Sequence, residues 1–204
     1  MLTEEQIEKN YAEFIQLIET NIQREGVDKL LKWLNTRDTK IAPASTKYHC
    51  SYKGGLVVHL LNVYKRLLKL VEMEFGDSDC PYSKETLTIV ALFHDISKIE
   101  FYEISERNAK DEDGNWIKVP FYQVKDDTKR LIFRDHTTNS YYMLSKFINL
   151  NYEESLAIIH HEGGFSASAD KNLVSTIMSA FKKSKLALLL HAADMMATCI
   201  DENE

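Results

Sequence analysis

Several chemistries are excluded by what this chain has little of. Only three cysteines are present, Cys50, Cys80 and Cys199; they are widely scattered and form no Cys-x-x-Cys pair, a pattern of reduced thiols and of neither a disulfide framework nor a zinc knuckle. Long hydrophobic runs are missing too. Residues 56–61 and 186–193 are the longest apolar stretches, far short of the ~20 residues that a membrane-crossing helix needs. The N-terminus is acidic and has no positive region followed by an apolar one, so the chain is expected in the cytoplasm and away from membranes. Positive charge is in deficit, with 25 Lys and Arg against 31 Asp and Glu and a net charge of −6. That balance argues against a broad electrostatic grip on a nucleic-acid backbone and favours a small or short phosphate substrate.

What is present, 204 residues of which 44% are hydrophobic and 27% charged, fits one globular domain spanning residues 1–204. The most informative stretch is residues 87–98. Leu87, Val90, Phe93 and His94 fall at helical spacing, so the pattern predicts a buried helix that carries His94, Asp95 and, one turn later, Lys98 to one place. Ionisable groups beside so apolar a run need a partner, and a divalent metal pairs with imidazole and carboxylate alike. A lone His-Asp pair also suits a helix cap or a salt bridge, so the other histidines decide.

Taken in order, Thr3 to Gln6 has the form of a capping box opening a helix to about Ile22, and Gly26 separates it from a short helix over residues 27–34. These 47 or so N-terminal residues read as cover for a core. Gly54 and Gly55 then lead into a long helix over residues 56–75 with an apolar stripe of Leu56, Leu60, Val63, Leu67 and Leu70. His59 lies on that stripe, where a core histidine bonded to a carbonyl is the plain alternative to a ligand. After a Ser83 N-cap comes the helix of residues 87–98. The Asp111–Asn115 turn composition between two aromatic-rich segments predicts a β-hairpin over residues 101–124, either a surface flap or a lid whose aromatics stack on a base. Asp135 reads as the N-cap of a helix opening with His136, and Asn151 with Glu154 as a second capping box, for a helix that ends at His160 and His161. A weaker helix is expected over residues 173–181. The last one, residues 186–200, carries His191 and Asp194 on an almost wholly apolar cylinder. An internal His191–Asp194 pair is the simplest account of those two residues taken alone.

His59, His94, Asp95 and Asp194 come from three separate apolar helices, and one metal ion accounts for the burial of all four. His136 and His160 or His161 lie at helix ends and suit a second ion in the same cavity.

The ordered pattern His59, His94-Asp95, Asp194 resembles the HD superfamily of metal-dependent phosphohydrolases, over roughly residues 45–200. His49-x-x-Tyr52-Lys53-Gly54-Gly55-Leu56-x-x-His59, His94-Asp95-Ile96-Ser97-Lys98, His160-His161-Glu162-Gly163 and Leu190-His191-Ala192-Ala193-Asp194 are similar to segments of bacterial HD-type exoribonucleases. The segment ending Lys118-Val119-Pro120-Phe121-Tyr122 is similar to one in small phage and bacterial HD-domain proteins. Two departures stand out: the exoribonucleases carry an OB-type domain ahead of the HD segment that 45 helical residues do not supply, and Asp135 precedes His136 where related small proteins have glycine.

The resemblance implies an all-α bundle with a β-hairpin insertion around residues 101–124. It implies one or two divalent metal ions, the donor set not choosing among Mn, Fe, Co, Ni, Zn and Mg. His59, His94, Asp95 and Asp194 would hold the first, and His136 and His161, with His160 as a further donor, the second, bridged by Asp95. Asp95 and Lys98 are the catalytic candidates, and His49, Lys98, Arg130, Arg134, Trp116 and Tyr122 the substrate contacts. Three functions fit: cleavage of a phosphate ester or anhydride of a nucleotide, a nuclease on short single strands, or a nucleotide-binding domain without catalysis. A small-molecule partner is expected over extended nucleic acid. The oligomeric state is not legible.

Overall fold

The computed structural model describes residues 2–76, 79–130, 135–164 and 171–202. Among them are eight α-helices: α1 Glu4–Asn21, α2 Val27–Asn35, α3 Gly55–Phe75, α4 Lys84–Phe93, α5 His136–Ser145, α6 Tyr152–His160, α7 Lys171–Lys183 and α8 Lys185–Met196. The only sheet among the described residues is the antiparallel ribbon of β1 Tyr102–Lys110 and β2 Trp116–Val124. An all-helical domain with a hairpin insertion is thus the observed architecture.

Local chemistry accounts for the helix starts. Thr3 and Gln6 form the capping box of α1, Ser83 Oγ accepts from the Thr86 amide at 3.1 Å, Asp135 accepts from the Thr138 amide at 2.8 Å, and Asn151 with Glu154 closes a second capping box. Each device satisfies amides that a helix N-terminus otherwise leaves without acceptors. Gly54 caps α3 at φ 82°, and a Cβ on Gly55 would lie 2.0 Å from the Cys50 carbonyl oxygen, so the Gly54-Gly55 pair lets the preceding loop run directly beneath the helix that carries His59.

α3 is the centre of the packing, with α4 and α8 against it, α1 across α3 and α4, and α6 against α8, α5 and α4. One hydrophobic cluster runs from Phe14 to Ala197. In α4 every residue from Thr86 to Phe93 is buried, as expected of a helix apolar on all sides. Removing a ring such as that of Phe93, which is fully buried, would cost about 3–5 kcal/mol through lost contacts and a residual cavity.

The structure differs from the sequence reading at two helix ends. The helix expected to reach Lys98 stops at Phe93: His94 is its C-cap, Asp95 leaves helical geometry at φ −111°, ψ 20°, and Ile96–Lys98 form a separate 3₁₀ turn. The last helix, expected to reach Ile200, widens into a π turn over Ala197–Asp201. Both breaks fall where polar side chains meet in the interior, and that demand outweighs the apolar periodicity.

Candidate metal centre

The helix ends assemble the site. His59 comes from the first third of α3, His94 and Asp95 follow α4, His136 opens α5, His161 caps α6 and Asp194 lies in α8. His59, His94, Asp95 and His161 are buried. His94 donates from Nδ1 to the Ala91 carbonyl at 2.9 Å, and His161 from Nδ1 to the Ile158 carbonyl at 2.8 Å. A carbonyl only accepts, so each Nδ1 carries the proton and each Nε2 presents a lone pair. The Nδ1 atom of His59 lies 3.1 and 3.2 Å from the two carboxylate oxygens of Glu202, which sets the same tautomer.

Those lone pairs converge on Asp95. Its Oδ2 is 3.5 Å from Nε2 of both His59 and His94, and 2.7 Å from the Lys98 ammonium. Its Oδ1 is 3.4 Å from His136 Nε2 and 3.6 Å from His161 Nε2. Asp194 Oδ1 lies 3.3 Å from His59 Nε2. His59–His94–Asp95, His94–His161–Asp194 and Asp95–His136–His161 are each compact enough to hold one ion, as is a peripheral trio of His49, His59 and Glu202.

Electrostatics favour a cation at this point. Burial pushes His94 down to about 3 and His136 to about 4, so both imidazoles are neutral donors near neutral pH. Burial also opposes charge on His59, yet hydrogen bonds to Asp194, Asp95 and Glu202 carry it well above the ordinary imidazole range, so its Nε2 holds a proton that a metal ion would have to displace. Asp95 is held well below the carboxylate range: burial acts to raise it, and the Lys98 ammonium together with His94, His161 and His59 outweighs burial. Two features then test whether a metal fits. Nε2 of His59 and Nε2 of His94 face one another at 3.3 Å, a contact that needs either a proton or a metal cation between the two nitrogens. Asp95 Oδ1 is buried without a hydrogen-bond partner among the described residues, which is costly for an oxygen with no cation to meet. Imidazole nitrogens with carboxylates suit a divalent ion of the Mn-to-Zn series, and the residues fit one.

A cavity of about 460 Å³ opens above this cluster, lined among others by Tyr48, His49, Lys98, Glu162, Met195 and Cys199. His49 and Lys98 are thus cavity-lining residues. Trp116 and Tyr122 are not among its lining residues: Tyr122, opposite Ile104, is half-buried near the base of the ribbon, and Trp116 stands at its far end. The ribbon leaves the bundle at the Tyr102–Val124 pair and ends at the Lys110–Trp116 pair, roughly 25 Å away for strands of this length, leaving Trp116 71% exposed. Arg130 does not line the cavity either; it is paired with Asp127 and stacked 5.2 Å from the Phe101 ring. Arg134 lies outside the described residues. Among the described residues His160 belongs to none of the ligand trios; it is half-buried, and burial holds its pKa below the usual imidazole value against the opposing charge of Asp135.

His191 is not the partner of Asp194. Its Nδ1 donates to the His161 carbonyl at 2.6 Å and its ring stacks on Phe181. Gly163, at φ 57°, makes room for it: a Cβ there would lie 2.5 Å from the imidazole. Two acidic residues escaped the sequence reading. Glu162, 3.4 Å from His136 Nε2, belongs to the paired-histidine motif but carried no role there, and Glu202 lies 143 residues from His59 with no periodicity to link them.

A family model described as HD domain matches residues 56–198 of the chain. No curated protein and no solved structure matches it.

Proposed function

Because the chain belongs to the HD-domain family of metal-dependent phosphohydrolases, we propose that it hydrolyses a phosphate ester or anhydride of a small nucleotide. In this reading His59, His94, Asp95 and Asp194 hold one divalent ion, and His136 and His161 hold a second, with Asp95 bridging. The carrying observation is the orientation of Asp95, whose Oδ2 faces His59 and His94 while Oδ1 faces His136 and His161. When bound, such ions supply Lewis acidity toward water and the phosphoryl oxygens.

The chain's own groups do the rest. His94 and His161 are locked as Nδ1–H tautomers by helix-end carbonyls, so their donor atoms need no reorganisation. Lys98, its side chain 12% exposed at the cavity and its pKa raised despite burial by the Asp95 carboxylate, stays cationic and can offset charge growing on phosphate oxygens. His49, pushed down to about 4 by burial, enters as a neutral hydrogen-bonding group at the rim.

The walls support a small substrate. A volume of about 460 Å³ falls among small-molecule sites, which span ~300–1,000 Å³. Lys98 is the only lysine or arginine among the described lining residues, while Tyr48, Met195 and Cys199 offer apolar surface. One phosphate group with a compact organic portion matches this better than a strand, which needs a basic track. The test is metal analysis of the purified protein, followed by metal-dependent turnover of mononucleotides, cyclic nucleotides and short oligonucleotides. Release of phosphate or ring opening from a mononucleotide is expected to be fastest; faster shortening of a single-stranded oligonucleotide in the same preparation would replace this reading with a nuclease.

A further inference from the structure

Resting on the metal centre proposed above, we propose that Glu202 is a positioning residue. Its carboxylate fixes the His59 imidazole with the proton on Nδ1 and the lone pair of Nε2 turned to the ion, and α3 itself holds that carboxylate in place.

The geometry is specific. Glu202 has a 1% exposed side chain, with both oxygens within 3.2 Å of His59 Nδ1. Asn62 Nδ2 donates to Glu202 Oε1 at 3.0 Å, and Arg66 clasps Asp201 from the next turn of α3. His59, Asn62 and Arg66 are spaced three and four residues apart and so form one stripe of α3, and that stripe grips residues 201 and 202. The π turn makes this reach possible. Glu202 N donates to the Ala197 carbonyl five residues back at 3.0 Å. One extra residue in the turn rotates the next residues by roughly 100° relative to a regular helix, and the widened turn carries Glu202 over the back of His59. One helical segment therefore provides both Asp194, at 3.3 Å from His59 Nε2, and the group that orients that same ring from its other side.

An anionic acceptor on the outer nitrogen makes the inner one a stronger donor and fixes the ring plane, and loss of such a partner costs roughly 10–100-fold in metal affinity. Asn62 does not substitute for Glu202, because an amide placed to donate to the carboxylate offers no negative charge to the imidazole.

The experiment uses Co²⁺ as the probe on the full chain, with wild type, Glu202→Ala and Glu202→Gln. Affinity is measured by competition with a chelator, and the exchangeable imidazole protons of the Co²⁺-bound histidines are followed as paramagnetically shifted proton resonances. Glu202→Ala is expected to weaken Co²⁺ binding roughly 10–100-fold and to lose one shifted N–H resonance to exchange with water. Glu202→Gln, which keeps an acceptor but not the charge, is expected to retain that resonance and to lose less affinity. A merely structural role would lower the melting temperature without changing the count of shifted N–H resonances, and this result overturns the proposal. So does Co²⁺ affinity within twofold of wild type in both variants. Should Glu202→Ala not fold, Glu202→Gln decides: unchanged affinity in that variant rejects the role of the charge. Absence of Co²⁺ binding by wild type rejects the metal centre and this inference together, an outcome distinct from equal binding by all three proteins.

Discussion

Asp95→Asn probes the shared carboxylate directly. In the native protein one oxygen already meets Lys98 at 2.7 Å, so the amide of the variant would turn its oxygen to the ammonium and its NH₂ toward His136 and His161. That NH₂ occupies the lone pairs of two ligand nitrogens while the negative charge common to both proposed ions is gone. For wild type, an ion present at 100 times its dissociation constant adds about 2.7 kcal/mol to stability. In a chain of this length each kcal/mol moves the melting temperature by about 2–4 °C, so the rise from chelator to excess Mn²⁺ is expected to be about 5–11 °C. In Asp95→Asn the rise is expected to fall below about 2 °C, with metal content near zero by elemental analysis. Differential scanning calorimetry with and without metal, on both proteins, measures it. A variant that shows the full wild-type shift at the same free Mn²⁺ would refute the placement of Asp95 between the ligand sets.

Three further outcomes are expected. His136→Ala or His161→Ala should leave about one ion per chain by elemental analysis and lower turnover, since His59, His94 and Asp194 are untouched; loss of all metal would show that the division into two ligand sets is wrong. Arg24→Ala should cost about 3–5 kcal/mol in urea unfolding, because Glu154, with a fully buried side chain, would lose a two-pronged Arg24 contact at 2.6 and 2.7 Å and keep, among the described residues, Thr86 and the Asn151 amide; a cost under 1 kcal/mol would mean that water or rearrangement replaces the guanidinium. Alkylation at pH 8 should label the exposed Cys199 and spare Cys50, whose thiol is buried and pushed up to about 11 by that burial, leaving about one thiolate in a thousand; mass spectrometry of peptides from the folded protein distinguishes the two sites.

The sequence revealed what local chemistry determines. Thr3, Ser83, Asp135 and Asn151 are caps in the structure because a side-chain oxygen within reach of the third amide is a short-range event. The stripe on α3 was legible for the same reason, since burial of Leu56, Leu60, Val63 and Leu67 repeats with the helix period. The meeting of His59, His94, Asp95 and Asp194 was inferred by cost: each needed a partner in an apolar helix, and the structure puts them within 3.6 Å of one another or of a shared atom. What could not be read is what no local pattern encodes. The composition of the hairpin predicts two paired strands but says nothing about where the ribbon points, and the lid reading rests on the aromatic residues and on the flap directly following the His94-Asp95 helix. Glu202 depends on a π turn, and the apolar periodicity of α8 gives no sign that Ala197–Asp201 will widen.

One rule of construction links the parts that were legible to the chemistry. A helix C-terminus leaves carbonyls with no amide to meet them, and in this protein imidazoles take three of those at the edge of the site: His94 takes Ala91, His161 takes Ile158, and His191 takes the His161 carbonyl just past α6. The hydrogen bond that finishes α4 or α6 also assigns the proton to Nδ1, and the ring then has no choice but to direct Nε2 away from its own helix. An apolar stripe that ends in histidine therefore carries two messages, a stop for the helix and a donor aimed into the core. Replacing such a histidine with glutamine would retain a side-chain N–H for capping but offer oxygen or an N–H in place of the imidazole lone pair. Helix stability and metal affinity at the second ligand set should accordingly separate in His161→Gln, the first nearly kept and the second lost, whereas in His161→Ala both fall together; thermal unfolding in chelator and a metal titration of the two variants measure the pair, and equal losses of stability in both would refute the capping role.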